Sequence, residues 1–222
     1  MHMKLTAGVA LSAVLLSFSG AIAFRGDLDE ITSGHVEAPA DTADVETHDL
    51  DPTRIDSPID EVLLHPKKLP PLPPENIDLE TLWLARCIFS ESKRPEEQEL
   101  VAWVVRNRVE TRYRGKRTYQ DVILDPYQFS AFKPDYHQWE FYTGLHPHSK
   151  VPGWQRALRI AHYVRNVDGS LRPFSPQTRH FYSERSLGNG IHPAWATGLE
   201  PVTPNRDYQI EARRFRFFEN VT

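Results

Sequence analysis

Two consecutive helical patterns, separated by Pro95, constrain the fold of this chain more than any other feature of its sequence. In the first pattern, Leu84, Cys87 and Ile88 recur at helical spacing, so their side chains lie on one face of a helix. A helix is therefore predicted over residues 79–92. Pro95 ends that helix, because proline disfavours helical geometry in the residue that precedes it.

The remaining elements are predicted from the same kinds of signal. A second helix is expected over 95–110, where proline opens the first turn, acidic residues follow it and apolar residues recur on one face. Shorter helices are expected over 119–124 and 154–166. After Asp168 the chain turns to loops, and alternation over 208–218 predicts a strand or hairpin. The expected fold class is mainly α (α+β), with a short β-hairpin or loop-rich C-terminal part.

The N-terminal residues 1–23 have the three parts of a secretory signal peptide. Lys4 supplies a positive charge, residues 5–18 form an apolar run, and Ala21 and Ala23 provide a small-residue cleavage signal. We therefore expect export to the periplasm, the cell exterior or the cell wall. The alternative is an uncleaved membrane anchor, since the extended apolar run approaches the roughly 20 residues that span a bilayer.

Charge divides the rest of the chain into an acidic linker and one globular domain. Residues 24–78 carry 14 acids and 4 bases, are rich in proline and have few large apolar residues, which is typical of a disordered linker. Residues 79–222 carry 16 acids and 21 bases. With 222 residues, 40% of them hydrophobic, the chain can bury one substantial core. A moderately basic domain suits an anionic polymer, but charge alone does not distinguish wall material from nucleic acid.

Glu91 continues the apolar face of the first predicted helix and is expected to point inward from its last turn. An apolar wall and the partial negative charge of a helix C-terminus both disfavour an ionised carboxylate, so its pKa is expected to be raised. A protonated carboxylic acid can protonate the leaving oxygen of a glycosidic bond. The pattern alone also permits an exposed glutamate paired with Lys93 or Arg94. Cys87, the only cysteine, is expected to be a buried core residue.

Several short motifs between residues 79 and 199 resemble the SleB-like cell-wall hydrolases, a family of lytic peptidoglycan enzymes with a lysozyme-like fold. The matching stretches are 84–91, 101–109, 121–123 and 128–132, with weaker matches at 179–182 and 192–196. The resemblance implies a lysozyme-like catalytic domain over 79–222. The segment after Glu91 departs from the family, because Ser92-Lys93-Arg94-Pro95 replaces a usual alanine-arginine-glycine-glutamate run and is shorter.

Carried over position by position, the resemblance places the family's catalytic glutamate on Glu91 and its glutamine-phenylalanine-serine motif on residues 128–130. Its histidine-tyrosine motif falls on residues 180 and 182, with Phe181 intervening. An amide, an aromatic ring and a hydroxyl suit recognition of an N-acetyl sugar. The expected substrate-binding residues are Gln128, Phe129, Ser130, Asn107, His180, Tyr182 and Trp195.

The resemblance also implies a mechanism that needs a single acid. Conventional glycosidases use two carboxylates, and the acids nearest in sequence, Asp121, Asp125 and Asp135, lie in no recognisable catalytic motif. A lytic transglycosylase cleaves the MurNAc–GlcNAc bond of peptidoglycan glycan strands with one glutamate. We expect such an enzyme to act as a monomer without cofactor, metal or nucleic acid, and to meet a membrane only if the signal segment is uncleaved.

Two other functions stay open at this stage. Histidines after the predicted helical core permit a zinc-dependent peptidoglycan amidase or peptidase: His137, His146, His148, His180 and His192. Zinc needs three ligands in tight geometry, and no helical histidine motif supports them. A wall-binding module without catalysis is also compatible with the short segment after Glu91.

Overall fold

Helices build most of the part of the chain that the structure describes. The computed structural model describes residues 71–187, 191–208, 210 and 214–221. The predicted signal peptide at 1–23 and the predicted linker up to residue 70 lie outside the described residues. The helices are α1 (Leu79–Glu91), α2 (Pro95–Glu110), α3 (Tyr119–Ile123), α4 (Trp139–Gly144), α5 (Trp154–Asn166) and α6 (Glu184–Leu187).

The core lies where α1 and α2 pack against α5. Leu84 and Ile88 of α1, Val104 of α2 and Ile160 of α5 have no exposed surface. Burying such aliphatic side chains stabilises a fold by roughly 1.5–3 kcal/mol each. The predicted bounds of α2 and α5 are confirmed, and α1 and α3 each end one residue before the predicted position.

Strand β1 (Thr178–Tyr182) pairs antiparallel with strand β2 (Arg216–Glu219), with Phe181 opposite Phe217. This two-stranded sheet confirms the mainly helical class with a small β part. Of the two forms predicted over 208–218, a strand or a hairpin, the strand is observed: β2 includes the last residues of this range and pairs with the distant strand β1. β1 itself falls in a region that the sequence predicted as loops.

The packed part of the chain begins before the predicted domain boundary at residue 79. Leu72 and Ile77 are half-buried and pack against the core, and Pro74–Asn76 form a 3-10 turn between them. The side chain of Asp78 accepts a hydrogen bond of 2.8 Å from the backbone N–H of Thr81 and so caps α1. Among the described residues, no helix combines the length and apolar character needed to span a bilayer.

Candidate functional site

Glu91 lies in the last turn of α1, as predicted, and is its final residue; the turn that follows it is fixed by hydrogen bonds. The hydroxyl of Ser92 donates to the carboxylate of Glu97 at 2.5 Å. The side-chain amide of Gln98 donates to the carbonyl of Ser92 at 2.7 Å. Since Ser92, Glu97 and Gln98 are all buried, the connection to α2 holds the end of α1, and with it Glu91, in one place.

The carboxyl group of Glu91 is desolvated although the residue keeps some exposed surface. Burial raises its pKa to about 7, and the positive charge of Arg108 acts in the opposite direction. The expectation of a raised pKa is confirmed, with burial as its main cause.

Cys87 and Tyr142 lie close enough to Glu91 to be affected by its charge. Cys87 has no exposed surface, as predicted; burial raises the pKa of its thiol, and the charge of Glu91 raises it further. Burial also raises the pKa of Tyr142 on α4, where Tyr136 and Glu91 add to the effect. The carboxyl group therefore faces α4 as well as the interior.

Lys93 and Arg94, the cations that follow Glu91 in sequence, interact with groups other than the Glu91 carboxylate. The ammonium of Lys93 donates to the carbonyl of Phe89 and lies 3.4 Å from the centre of the Phe89 ring. The guanidinium of Arg94 lies 3.8 Å from the carboxylate of Glu97. Arg108, from the next helix, is the cation that lowers the pKa of Glu91.

Arg108 is a member of the site that the sequence did not indicate. Only 4% of its surface is exposed, and its Nε donates to the carbonyl of Arg179 at 2.7 Å. Its guanidinium lies 5.3 Å from the ring centre of Phe129 and 5.6 Å from that of Tyr113. Burial lowers its pKa to about 10, so it stays charged at neutral pH. Its Nη1 is buried and has no hydrogen-bond partner among the described residues.

The glutamine-phenylalanine-serine motif is divided between the interior and the surface. Phe129 is only 3% exposed and packs beneath Arg108, so it supports the site and lies out of reach of a substrate. Ser130 is exposed at the start of a 3-10 turn, and Gln128 is half-buried. The backbone N–H of Gln128 donates to the carbonyl of Asp125 at 3.2 Å, which closes a turn before this motif.

An aromatic cluster made of Tyr113, His180, Tyr182 and Trp195 runs from Arg108 to the surface. The hydroxyl of Tyr113 lies 2.9 Å from Nε2 of His180, and the His180 and Trp195 rings are 5.3 Å apart. Tyr182 lies 5.9 Å from Trp195. Burial, assisted by Arg108 and Arg179, lowers the pKa of His180 to about 3, so the imidazole is neutral. Trp195 is 36% exposed, and an exposed indole ring suits contact with a sugar.

Asn107 serves the fold. It has no exposed surface, and its Nδ2 donates to the carbonyls of Ser175 at 3.1 Å and Thr178 at 2.8 Å. These bonds join α2 to the start of β1. The predicted substrate contact at Asn107 finds no support in this geometry, since a fully buried side chain does not meet a polymer in solution.

No second carboxylate joins Glu91 among the residues that the structure describes. Asp125 is buried and paired with Arg114 at 3.1 Å and Lys116 at 3.4 Å, whereas Asp121 and Asp135 are exposed. Within the same residues, no three side chains of His, Cys, Asp or Glu lie close enough together to hold a metal ion.

Searches against protein-family models, curated proteins and solved structures return no match to this chain.

Proposed function

We propose that this protein is an exported lytic transglycosylase of lysozyme-like fold that cleaves the MurNAc–GlcNAc bond of peptidoglycan. The observation that carries the proposal is the carboxyl group of Glu91, which is desolvated, has a pKa of about 7 and belongs to a residue that keeps some exposed surface. Such a group is about half protonated near neutral pH. It can therefore both donate and accept a proton under the conditions in which wall enzymes act.

In the first step, Glu91 gives its proton to the glycosidic oxygen as the bond from that oxygen to C1 of MurNAc breaks. The electrons of the broken bond remain on the protonated oxygen of the leaving sugar. In the second step, the Glu91 carboxylate removes the proton of the C6 hydroxyl of the same MurNAc, whose oxygen bonds to C1. The product is a 1,6-anhydro sugar, no water is consumed, and Glu91 ends protonated as it began.

Arg108 supports the second step of this mechanism. Burial alone favours the protonated form of Glu91, and the guanidinium of Arg108 stabilises the carboxylate that forms after proton transfer. A single acid thus remains usable as a base. The opposing effects of burial and of Arg108 on the pKa of Glu91 let one carboxyl group perform both proton transfers, for which conventional glycosidases use two carboxylates.

Side chains that are connected to Glu91 through Arg108 suit a glycan strand. Gln128 and Ser130 present an amide and a hydroxyl for the acetamido and hydroxyl groups of the sugars. Trp195 and Tyr182, backed by His180, provide an aromatic platform for a sugar ring. These side chains are the proposed substrate contacts.

Product analysis of digested sacculi tests the proposal. The wild-type protein is expected to release anhydro-muramyl fragments, identified by mass spectrometry. Replacing the acid in Glu91→Gln is expected to lower the rate at least about a hundredfold, because general acid catalysis contributes a factor of that order or more. Glu140→Gln, a change at an exposed glutamate on α4, is the matched control and should retain full activity.

The other outcomes identify the alternatives. Saturated reducing ends would make the protein a muramidase. Loss of activity in a chelator would support a zinc amidase or peptidase, and sacculus binding without release of fragments would indicate a wall-binding module. Full activity in Glu91→Gln would overturn the proposal.

A further inference from the structure

A depression with an aromatic floor lies beside Glu91. Its volume is about 480 Å³, which is within the range of binding sites for small ligands. Phe89, Phe141 and Tyr142 provide the apolar surface, and Lys93 and Arg156 provide positive charge. The depression lies close to Glu91, because the charge of Glu91 raises the pKa of Tyr142 in its lining, and Phe89 and Lys93 are each two residues from Glu91.

The two cations of the depression lack a carboxylate partner among the described residues. Nη2 of Arg156 donates to the backbone carbonyl of Lys93 at 2.5 Å, and its Nε is buried without a partner. The ammonium of Lys93 has the carbonyl and ring of Phe89 as its partners. No acidic side chain lines the depression.

Both cations are accessible to a ligand, since Lys93 is exposed and Arg156 is half-buried, while the surrounding protein removes part of their solvation. Burial lowers the pKa of Lys93 to about 8 and also lowers the pKa of Arg156. A bound carboxylate would reverse both effects, since an opposite charge within a few ångströms favours the charged form of each cation. The aromatic floor suits the aliphatic part of the same ligand.

We propose that this depression binds a carboxylate-bearing peptide arm of the glycan strand that Glu91 cleaves. The assignment rests on the proposed function, and it adds a substrate preference: strands that carry peptide are favoured over bare glycan. The arm is attached to the muramic acid whose glycosidic bond is cleaved, so its carboxylates lie near the acid when the strand is bound. Charge complementarity and proximity to Glu91 together select this occupant.

Binding of uncleaved strands to the Glu91→Gln protein tests the assignment. The probes are soluble glycan strands with their peptide arms, and the same strands stripped of peptide by an amidase. Peptide-bearing strands are expected to bind more tightly. Adding Arg156→Gln or Lys93→Gln is expected to weaken binding of peptide-bearing strands roughly five- to tenfold and to leave stripped strands unaffected.

Two further variants separate charge from structure. Arg156→Lys keeps the positive charge and is expected to keep most of the preference. Arg117→Gln removes an exposed charge that does not line the depression and should change nothing. Equal affinity of the Glu91→Gln protein for both strand types would overturn the assignment, as would an equal effect of Arg156→Gln on both.

The outcomes test the proposed function separately from the proposed peptide site. Peptide-dependent binding together with no cleavage by the wild-type protein would leave the depression as a peptide site and overturn the transglycosylase proposal alone. Cleavage with anhydro products together with peptide-independent binding would overturn only the proposal that the depression binds the peptide arm.

Discussion

At the scale of single residues, the burial that raises the pKa of Glu91 also lowers the stability of the folded protein. The pKa of Glu91 is about 7 in the folded state, against an ordinary value of 4.5. Below pH 4.5 the group is protonated in both states and has no effect. As the pH rises, the unfolded chain ionises first, so the free energy of unfolding falls between pH 4.5 and pH 7 and then levels off.

Glu91→Gln should remove this pH-dependent loss, because the amide does not ionise. We expect the variant to be more stable than the wild type at pH 8 by roughly 2 kcal/mol, after allowing for solvent at a partly exposed group. At pH 4.5 the two proteins should differ little. Urea denaturation across this pH range measures the difference, with Glu140→Gln as control. A difference that is constant with pH would contradict the burial of the Glu91 carboxyl group.

The inward position of Glu91 could be predicted from the sequence, whereas the presence of Arg108 beside it could not. The helical spacing from Leu84 and the proline at position 95 are local signals, and together they fix the direction and the position of Glu91 in the last turn. Arg108 lies in the last turn of α2. The local pattern therefore predicts a cation that interacts with the end of its own helix. Its actual partners, the carbonyl of Arg179 and the charge of Glu91, come from other elements, which no local pattern can identify.

At the scale of elements, the helices could be predicted from local signals, whereas the pairing of strands in the sheet could not. Helices α2 and α5 have their predicted bounds because periodicity and the first-turn proline of α2 act within a few residues. Strand β1 depends on β2, which lies much later in the chain. The alternation near the C-terminus predicted β structure there, but pairing partners follow from tertiary packing rather than from neighbouring residues.

Asn107 links α2 to the start of β1 by two hydrogen bonds, and its removal should be costly. Asn107→Ala leaves the buried carbonyl of Thr178 and the partly buried carbonyl of Ser175 without their donor. We expect the free energy of unfolding to fall by about 2–3 kcal/mol, since each unsatisfied buried group costs about 1–3 kcal/mol. Chemical denaturation measures the loss. Asn166→Ala, at an exposed asparagine on α5, is the control and should change stability by less than about 0.5 kcal/mol; equal effects would show that Asn107 is no link.

At the scale of the whole molecule, the segment before α1 is part of the folded unit. Leu72 and Ile77 add apolar contacts to the core. Asp78 caps α1 through Thr81 and pairs with Arg165 of α5. A boundary at residue 79, where the sequence predicted it, would remove all of these interactions.

A fragment of residues 71–222 should therefore be more stable than a fragment of residues 79–222. We expect a difference of about 2–4 kcal/mol, from the lost helix cap and the lost apolar burial. Thermal and urea unfolding of the two fragments measure it. Asp78→Ala in the longer fragment should reproduce about 1 kcal/mol of the loss. Identical unfolding curves for the two fragments would place the start of the folded unit at α1.

The single cysteine gives the molecule a built-in reporter of its internal motion. The thiol of Cys87 is enclosed on the face of α1 that packs into the core, and its raised pKa keeps it in the unreactive protonated form. An alkylating reagent reaches this sulfur only when α1 separates from its neighbours. The rate of alkylation thus measures how often the helix that carries Glu91 opens, without any added label.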